Sequence, residues 1–184
     1  MRRIETSLPG ACLIEPTIFS DDRGFFFESY HEAKYVELGI PDRFVQDNHA
    51  RSERGTLRGL HYQLRRPQSK LCRVIQGEVL DVVVDIRRGS PQFGRYESTI
   101  LSAENKRQLF VPAGFAHGYL VLSDTAEFLY KCSDFYFPEW DRGIAWDDPE
   151  VGIRWDISNP TLSAKDRGHP KLSEVLPSDL PVFE

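Results

Sequence analysis

Glu78-Val79-Leu80-Asp81-Val82-Val83-Val84-Asp85-Ile86 is the stretch whose reading decides the fold class. It alternates with the period of a strand. Val82, Val84 and Ile86 share one face, and Asp81 and Asp85 share the other. Gly77 precedes it and Gly89-Ser90-Pro91 follows it, so turn chemistry bounds it at both ends. Outward from this strand the same grammar repeats. Ala11 to Phe19, Gly24 to Ser29, Arg43 to Asn48, Thr56 to Leu64 and Lys70 to Gln76 come before it, and Arg95 to Leu101, Gln108 to Val111, His117 to Leu122 and Ala126 to Phe137 come after. Short strands separated by turns predict a mostly antiparallel β protein, of which the jelly roll is the best-fitting form.

Two stretches read as helical. His31 to Leu38 places Ala33, Tyr35, Val36 and Leu38 on an apolar stripe and stops at Gly39. Ser102 to Arg107 reads as a single turn capped by Ser102. From about Asp147 the chain is rich in Pro, Asp and Ser, which predicts an ordered segment wrapping the body over 147–184. No repeat, low-complexity tract or linker divides the 184 residues, so one domain is expected over 1–184.

Composition narrows the function. With 40% hydrophobic and 28% charged residues, disorder is not expected. No apolar run approaches a membrane span, and the polar start after Met1-Arg2-Arg3 does not suit a signal peptide. Cys12, Cys72 and Cys132 are odd in number, widely spaced and set among apolar neighbours, which predicts reduced, partly buried thiols in a cytoplasmic protein. A net charge of -5 argues against nucleic acid as a partner. It leaves room for an anionic small molecule held by a few convergent cations, of which Arg23, Arg58 and Lys70 lie nearest the motifs below.

Two segments carry candidate chemistry: Leu57-Arg58-Gly59-Leu60-His61-Tyr62-Gln63 and Pro112-Ala113-Gly114-Phe115-Ala116-His117-Gly118. Each sets one histidine among apolar residues and glycines, without a second histidine or an acid at metal-ligand spacing. A lone imidazole in a lined pocket suits proton transfer, although a core histidine bonded to a carbonyl would read the same way. On a simple pleat His61 shares its face with Leu57, Gly59 and Gln63, opposite Arg58, unless Gly59 forms a bulge. His31, His49 and His169 have weaker surroundings and read as surface residues.

Tyr130 and Tyr136 lie on or near an aromatic strand; in a cavity a buried tyrosine can donate a proton to a carbanion, but most such aromatics are core. Gln46 and Asn48 project to one face, suited to a planar polar ligand or to a solvated edge. Lys70 opens a buried strand; it either snorkels or points inward, where its ammonium would stabilise an enolate oxygen. Asp166, in Leu162-Ser163-Ala164-Lys165-Asp166, is a carboxylate able to orient His61, a pairing that spacing alone does not establish.

Together Asp22-Arg23-Gly24-Phe25-Phe26, Phe44-Val45-Gln46-Asp47-Asn48, the His61 and His117 segments, Tyr130-Lys131 and Leu162 to Asp166 resemble, in order, the signature blocks of the dTDP-4-dehydrorhamnose 3,5-epimerase family. The resemblance spans Thr6 to Asp166. It implies a cofactor-free isomerase with a cupin-type double-stranded β-helix and short peripheral helices. It also implies a homodimer that exchanges N-terminal strands, and a dTDP-sugar substrate on the route to dTDP-L-rhamnose and surface polysaccharide. By matching motifs, His61 resembles the base, Asp166 its partner, Tyr130 the acid and Lys70 the residue steadying the enolate. Arg23, Glu28, Gln46, Asn48, Arg58, His117 and Lys165 match nucleotide-sugar contacts. Tyr136 matches an aromatic near the nucleotide, and Asp141 stands where the family often has Glu. Tyr62-Gln63 replace the second histidine of metal-binding cupins, and Lys70 takes the place of their glutamate. No catalytic metal is therefore expected. Relatives acting on one carbon only, metal-dependent oxygenases and non-catalytic sugar-nucleotide binders are the competing readings.

Overall fold

The computed structural model describes residues 1–183. Two antiparallel sheets face each other. The first runs in the order β1 (Arg2–Glu5), β2 (Cys12–Glu15), β10 (Gln108–Val111), β7 (Lys70–Gln76), β12 (Thr125–Cys132), β5 (Gln46–Glu53). The second runs β13 (Asp141–Gly143), β6 (Leu57–Gln63), β11 (Phe115–Val121), β8 (Glu78–Asp85), β9 (Tyr96–Ser102). A separate hairpin pairs β3 (Phe19–Asp21) with β4 (Gly24–Phe26). This is the jelly roll expected from the strand spacing, with short helices at its edge. No helix among the described residues is long and apolar enough to cross a membrane.

The apolar alternation explains how the layers close. Val79 and Val83 of β8 point between the sheets, where they meet Cys72, Val74, Leu109, Phe115, Tyr119 and Phe128. Val82, Val84 and Ile86 point the other way, into a second core roofed by Val151, Trp155, Leu172 and Leu180 of the C-terminal segment. Both faces of β8 are therefore buried, and Asp81 and Asp85 with them. The aspartates persist because each has a partner: Asp85 binds Arg87 at 2.7 Å and Ser90 at 2.7 Å, and Asp81 binds His117. A third core lies outside the six-stranded sheet, where Tyr35 of α1 (Glu32–Glu37) packs with Cys12, Ile14, Leu71 and Phe110. All three cysteines are buried and free.

Several expected elements shift. Ala11 to Phe19 is two strands, because Pro16 follows β2 and cannot donate to a ladder. β1 carries Arg2, Arg3 and Glu5 and is fastened by an Arg2–Glu15 ion pair at 2.6 Å, so no apolar period announces it. The strand read over Arg43 to Asn48 begins at Gln46 and runs on to Glu53, with Asp47, His49, Arg51 and Glu53 exposed at alternate positions. The strand read to Phe137 ends at Cys132, where Ser133 Oγ accepts from Ser69 N at 2.9 Å. The Ser102 turn forms without becoming a helix: Ser102 Oγ accepts from Asn105 N at 2.9 Å.

The decisive local feature is in β6. His61 pairs with His117 and Arg58 with Tyr119, so three steps on β6 span two on β11. That extra residue is a bulge at Gly59, whose φ is +121°. Arg58 and His61 consequently line one cavity despite their odd spacing. The bulge depends on two bare backbones: a Cβ on Gly59 would lie 2.6 Å from Gly118 Cα and 2.7 Å from His117 O. We expect Gly59→Ala to lower stability by about 3 kcal/mol or more, through strain plus overlap. Gly89 has a similarly left-handed φ of +87° but open space around it. Gly89→Ala should cost only about 1 kcal/mol. Urea denaturation of the two variants makes the comparison; equal losses would remove the backbone contact as the cause.

Candidate active site

A cavity of about 410 Å³ opens between the sheets. The five-stranded sheet contributes Arg58, His61, His117 and Tyr119, and the six-stranded sheet contributes Ala50, Lys70, Phe128 and Tyr130. Thr161 to Ser163, Lys165 and Asp166 close one side. A second cavity of about 330 Å³ shares His61, Lys70, Tyr130 and Lys165, and adds Gln46, Asn48, Tyr136 and Asp141. Two joined compartments suit a ligand with two chemically distinct halves.

His61 Nε2 lies 2.7 Å from Asp166 Oδ1 across 105 residues of sequence. Ser163 makes this meeting possible by capping α2 (Ala164–Arg167): its Oγ accepts from Asp166 N at 3.0 Å and sets where the carboxylate starts. Burial alone would raise the Asp166 carboxyl. The hydrogen bonds and charge of His61, with Ser163 and the Gly59 backbone, outweigh burial and hold it below the usual carboxylate range. An ionised carboxylate accepts, so the proton between the two groups belongs to Nε2, and in the neutral ring the lone pair is then on Nδ1. The His61 side chain is 32% exposed toward the cavity, whereas that of Asp166 is 5% exposed.

Tyr130 stands on the opposing sheet, paired with Asn48 on one side and Cys72 on the other. Burial, reinforced by the neighbouring thiols, pushes its hydroxyl well above the ordinary tyrosine range, so it stays protonated and able to donate. Lys70 lines both compartments, and no carboxylate of the described residues lies within ion-pair distance of it. Arg58 Nε donates to Ser52 Oγ at 3.0 Å. Gln46 Nε2 donates to Asn48 Oδ1 at 3.2 Å, and Gln46 Oε1 accepts from Tyr136 N at 3.0 Å, so the two amides do share a face. Tyr136 Oη donates to Asp141 Oδ2 at 2.7 Å, a bond that, with some burial, pushes the phenol up to about 12. Asp141 also pairs with Lys165.

His117 is more deeply set. Its Nε2 is 2.7 Å from Asp81 Oδ1, with the histidine 7% and the aspartate 0% exposed, and its ring stacks on Phe128. Burial raises Asp81 despite the opposing pull of His117. Arg23 and Glu28 are not brought to the cavity by their own chain. Arg23 sits on the β3–β4 hairpin with its side chain 90% exposed, paired with Asp21, and Glu28 pairs with Lys34 on the surface.

His169 departs from its sequence reading. It is not a surface residue: its side chain is 10% exposed and its ring centroid lies 5.5 Å from that of His61. It lies over Gly143, where any Cβ would fall 2.4 Å from its Nε2, and Gly143 is the β13 residue paired with His61. Nothing in Arg167-Gly168-His169-Pro170 signals this, because the cradle is made by a glycine 26 positions earlier on another element. Two clusters among the described residues bring metal-ligating atoms within 4.8 Å of one another: His61, Asp166 and His169, and Cys72, Asp81 and His117.

Residues 5–174 match the sequence profile of dTDP-4-dehydrorhamnose 3,5-epimerase. The chain is 57% identical over 169 residues to the dTDP-4-dehydrorhamnose 3,5-epimerase of Pseudomonas aeruginosa, covering 91% of this chain and 93% of that protein. Its structure superposes with a TM-score of 0.97, at 49% identity, on the dTDP-6-deoxy-D-glucose-3,5-epimerase of Legionella pneumophila solved with dTDP-4-keto-L-rhamnose; the match covers 100% of this chain and 98% of that one. A 3'-monoepimerase of Streptomyces bikiniensis, solved with dTDP-quinovose, matches at 36% identity and a TM-score of 0.91, over 99% of this chain and 93% of that one. With the profile and these relatives agreeing along nearly its whole length, the chain belongs to the dTDP-4-dehydrorhamnose 3,5-epimerase family.

Proposed function

We infer that the chain converts dTDP-4-dehydro-6-deoxy-D-glucose to dTDP-4-dehydro-L-rhamnose, inverting C3 and C5 in the formation of dTDP-L-rhamnose. The observation that carries this reading is the opposition of His61, backed by Asp166 at 2.7 Å, to Tyr130 across one cavity. The C4 ketone acidifies the hydrogens at C3 and C5. His61 Nδ1 takes each proton from one face, and the imidazolium formed is balanced by Asp166. Lys70 meets the charge that develops on O4 of the enolate. Tyr130 returns a proton from the other face, which inverts the carbon. Arg58 and Lys165 bind the diphosphate, His117 contacts the sugar, and Gln46, Asn48, Tyr136 and Asp141 form the nucleotide compartment. No step requires a cofactor.

The N-terminal hairpin extends this reading to the assembly. Phe19, Phe25 and Phe26 are 63%, 61% and 68% exposed. Three large apolar side chains on one small hairpin mark a contact surface. A homodimer that docks this hairpin on its partner would bring Arg23 and Glu28 to the partner's cavity, completing it in trans. The jelly roll over 1–184 then acts as one unit of a symmetric pair, in solution and without membrane or nucleic acid.

Incubation with the 4-keto sugar nucleotide in deuterated water, followed by NMR, tests the reaction. Deuterium should enter both C3 and C5 with inversion. Label at C3 alone would instead favour a single-carbon epimerase, the activity of the Streptomyces bikiniensis relative. His61→Asn should reduce turnover by about two to four orders of magnitude while leaving binding intact. In Tyr130→Phe, proton abstraction should persist and inversion should fail, so exchange with retained stereochemistry should exceed epimerised product. If exchange and inversion fall together there, the acid is another group.

Asp166→Asn removes the anion that balances the imidazolium. The carboxylate lies below its usual range, so it is charged throughout neutral and mildly acidic pH, and its loss should be felt across that window. The kcat/KM plateau should drop and the acid limb move to lower pH; an unchanged profile would take Asp166 out of the mechanism.

Subunit complementation tests the dimer. Arg23→Ala and His61→Asn should each be impaired alone. Random mixing should restore about a quarter of the native sites, because half of the dimers are mixed and each holds one site with both residues native. No recovery on mixing would place Arg23 outside the partner's site.

A further inference from the structure

His169 has no part in the reaction above, yet it is built into the wall behind the base. Its side chain is 10% exposed and its Nε2 has no hydrogen-bond partner. A buried imidazole nitrogen left unsatisfied carries a desolvation cost, and such a group calls for an explanation. Asp166 Oδ1 is 3.8 Å away, too far for a hydrogen bond, and the same oxygen is 2.7 Å from His61 Nε2. The three donor atoms lie within 4.8 Å of one another.

We propose that His61 Nε2, Asp166 Oδ1 and His169 Nε2 form an inhibitory site for a borderline divalent transition ion such as Zn²⁺. Two imidazoles and one carboxylate are the donor set that zinc and cobalt favour, whereas magnesium and calcium favour oxygen alone. A tetrahedral ion with bonds of about 2.0–2.1 Å needs its donors about 3.3 Å apart. The 2.7 Å contact must therefore open and the 3.8 Å contact close, each by a small side-chain adjustment. The fourth ligand would be a water, entering from the cavity that His61 and Asp166 line. The Lys165 charge that acts on His169 is offset by that of Asp141, with which Lys165 is paired. The other cluster is unsuitable: Asp81 and Cys72 are wholly buried and the Lys70 ammonium acts on both.

On capture, the ion replaces the Nε2 proton of His61, which leaves to solvent, and it draws the Asp166 charge to itself. Nδ1 then has a dication behind its ring in place of an anion, and it loses its strength as a base. The effect rests on the epimerase reading only for the loss of turnover; binding stands by itself. Inhibition should lower kcat with little change in KM for the sugar nucleotide, unlike an ion that competes for the diphosphate.

The test uses the full chain with Co²⁺ and Zn²⁺, against Mg²⁺ as control. Native protein should bind one Co²⁺ with visible d–d absorption, and Zn²⁺ should displace it and raise the melting temperature. Zn²⁺ should suppress turnover, and a chelator should restore it. His169→Ala and His169→Gln should keep native turnover within about threefold. Both should weaken Co²⁺ affinity and raise the inhibitory Zn²⁺ concentration by at least about tenfold. Equal metal affinity in native protein and both variants would overturn the proposal, as would Co²⁺ binding that survives His61→Asn. A protein with no epimerase activity but with His169-dependent Co²⁺ absorption would overturn the reaction and leave the metal site standing.

Discussion

The contact on which the site depends is between two glycines. Gly59 and Gly118 lie backbone to backbone on neighbouring strands, so close that a Cβ on Gly118 would fall 2.6 Å from Arg58 O. With no side chain on either, β6 can carry one residue more than β11 opposite it, and the pleat reverses between Arg58 and His61. Without that reversal a strand with period two would turn one of them away from the cavity. The Gly59 backbone also contributes to holding the Asp166 carboxylate ionised, so the bulge shapes His61 and its partner together.

A sandwich answers the stereochemical demand of epimerisation. Inversion needs a base and an acid on opposite faces of one carbon, and a cavity between two sheets offers two walls. His61 and Arg58 come from one wall, Tyr130 and Lys70 from the other. Strands hold these side chains at fixed spacing, so the geometry is set before substrate arrives. The C-terminal segment has two jobs in this arrangement. It roofs the outer core through Trp155, Leu172 and Leu180, and it delivers Asp166 through a helix of only four residues capped by Ser163.

The sequence showed those parts of the fold that depend on local pattern. β8 was legible because its valines alternate, and α1 because its apolar stripe ends at Gly39. Strands held by ion pairs at an edge, such as β1, or made of outward charges, such as the latter half of β5, carry no apolar period and were missed. Arg58, His61 and His117, which line the cavity, stood out because they sit in glycine-rich blocks. His169 did not, because the space it fills is created by Gly143, and sequence order says nothing of that meeting. The faces of Arg58 and His61 needed the register of β6 against β11, which is a property of two strands and not of one.

The two histidine–aspartate pairs show how burial assigns different work to the same chemistry. Both have Nε2 to Oδ1 distances of 2.7 Å, and His61 and His117 are direct partners across β6 and β11. Asp81 is wholly buried, its Oδ2 has no partner, and burial raises it, so this carboxylate holds its charge less firmly. Asp166 gains bonds from His61, Ser163 and the Gly59 backbone that outweigh its burial, so it keeps its charge beside a histidine open to the cavity. An imidazole that must gain and lose a proton in each turnover needs a partner that stays ionised throughout. Only the His61 pair meets that condition, so the environment of the carboxylates, more than the identity of the histidines, determines which of two adjacent imidazoles is suited to act as the base.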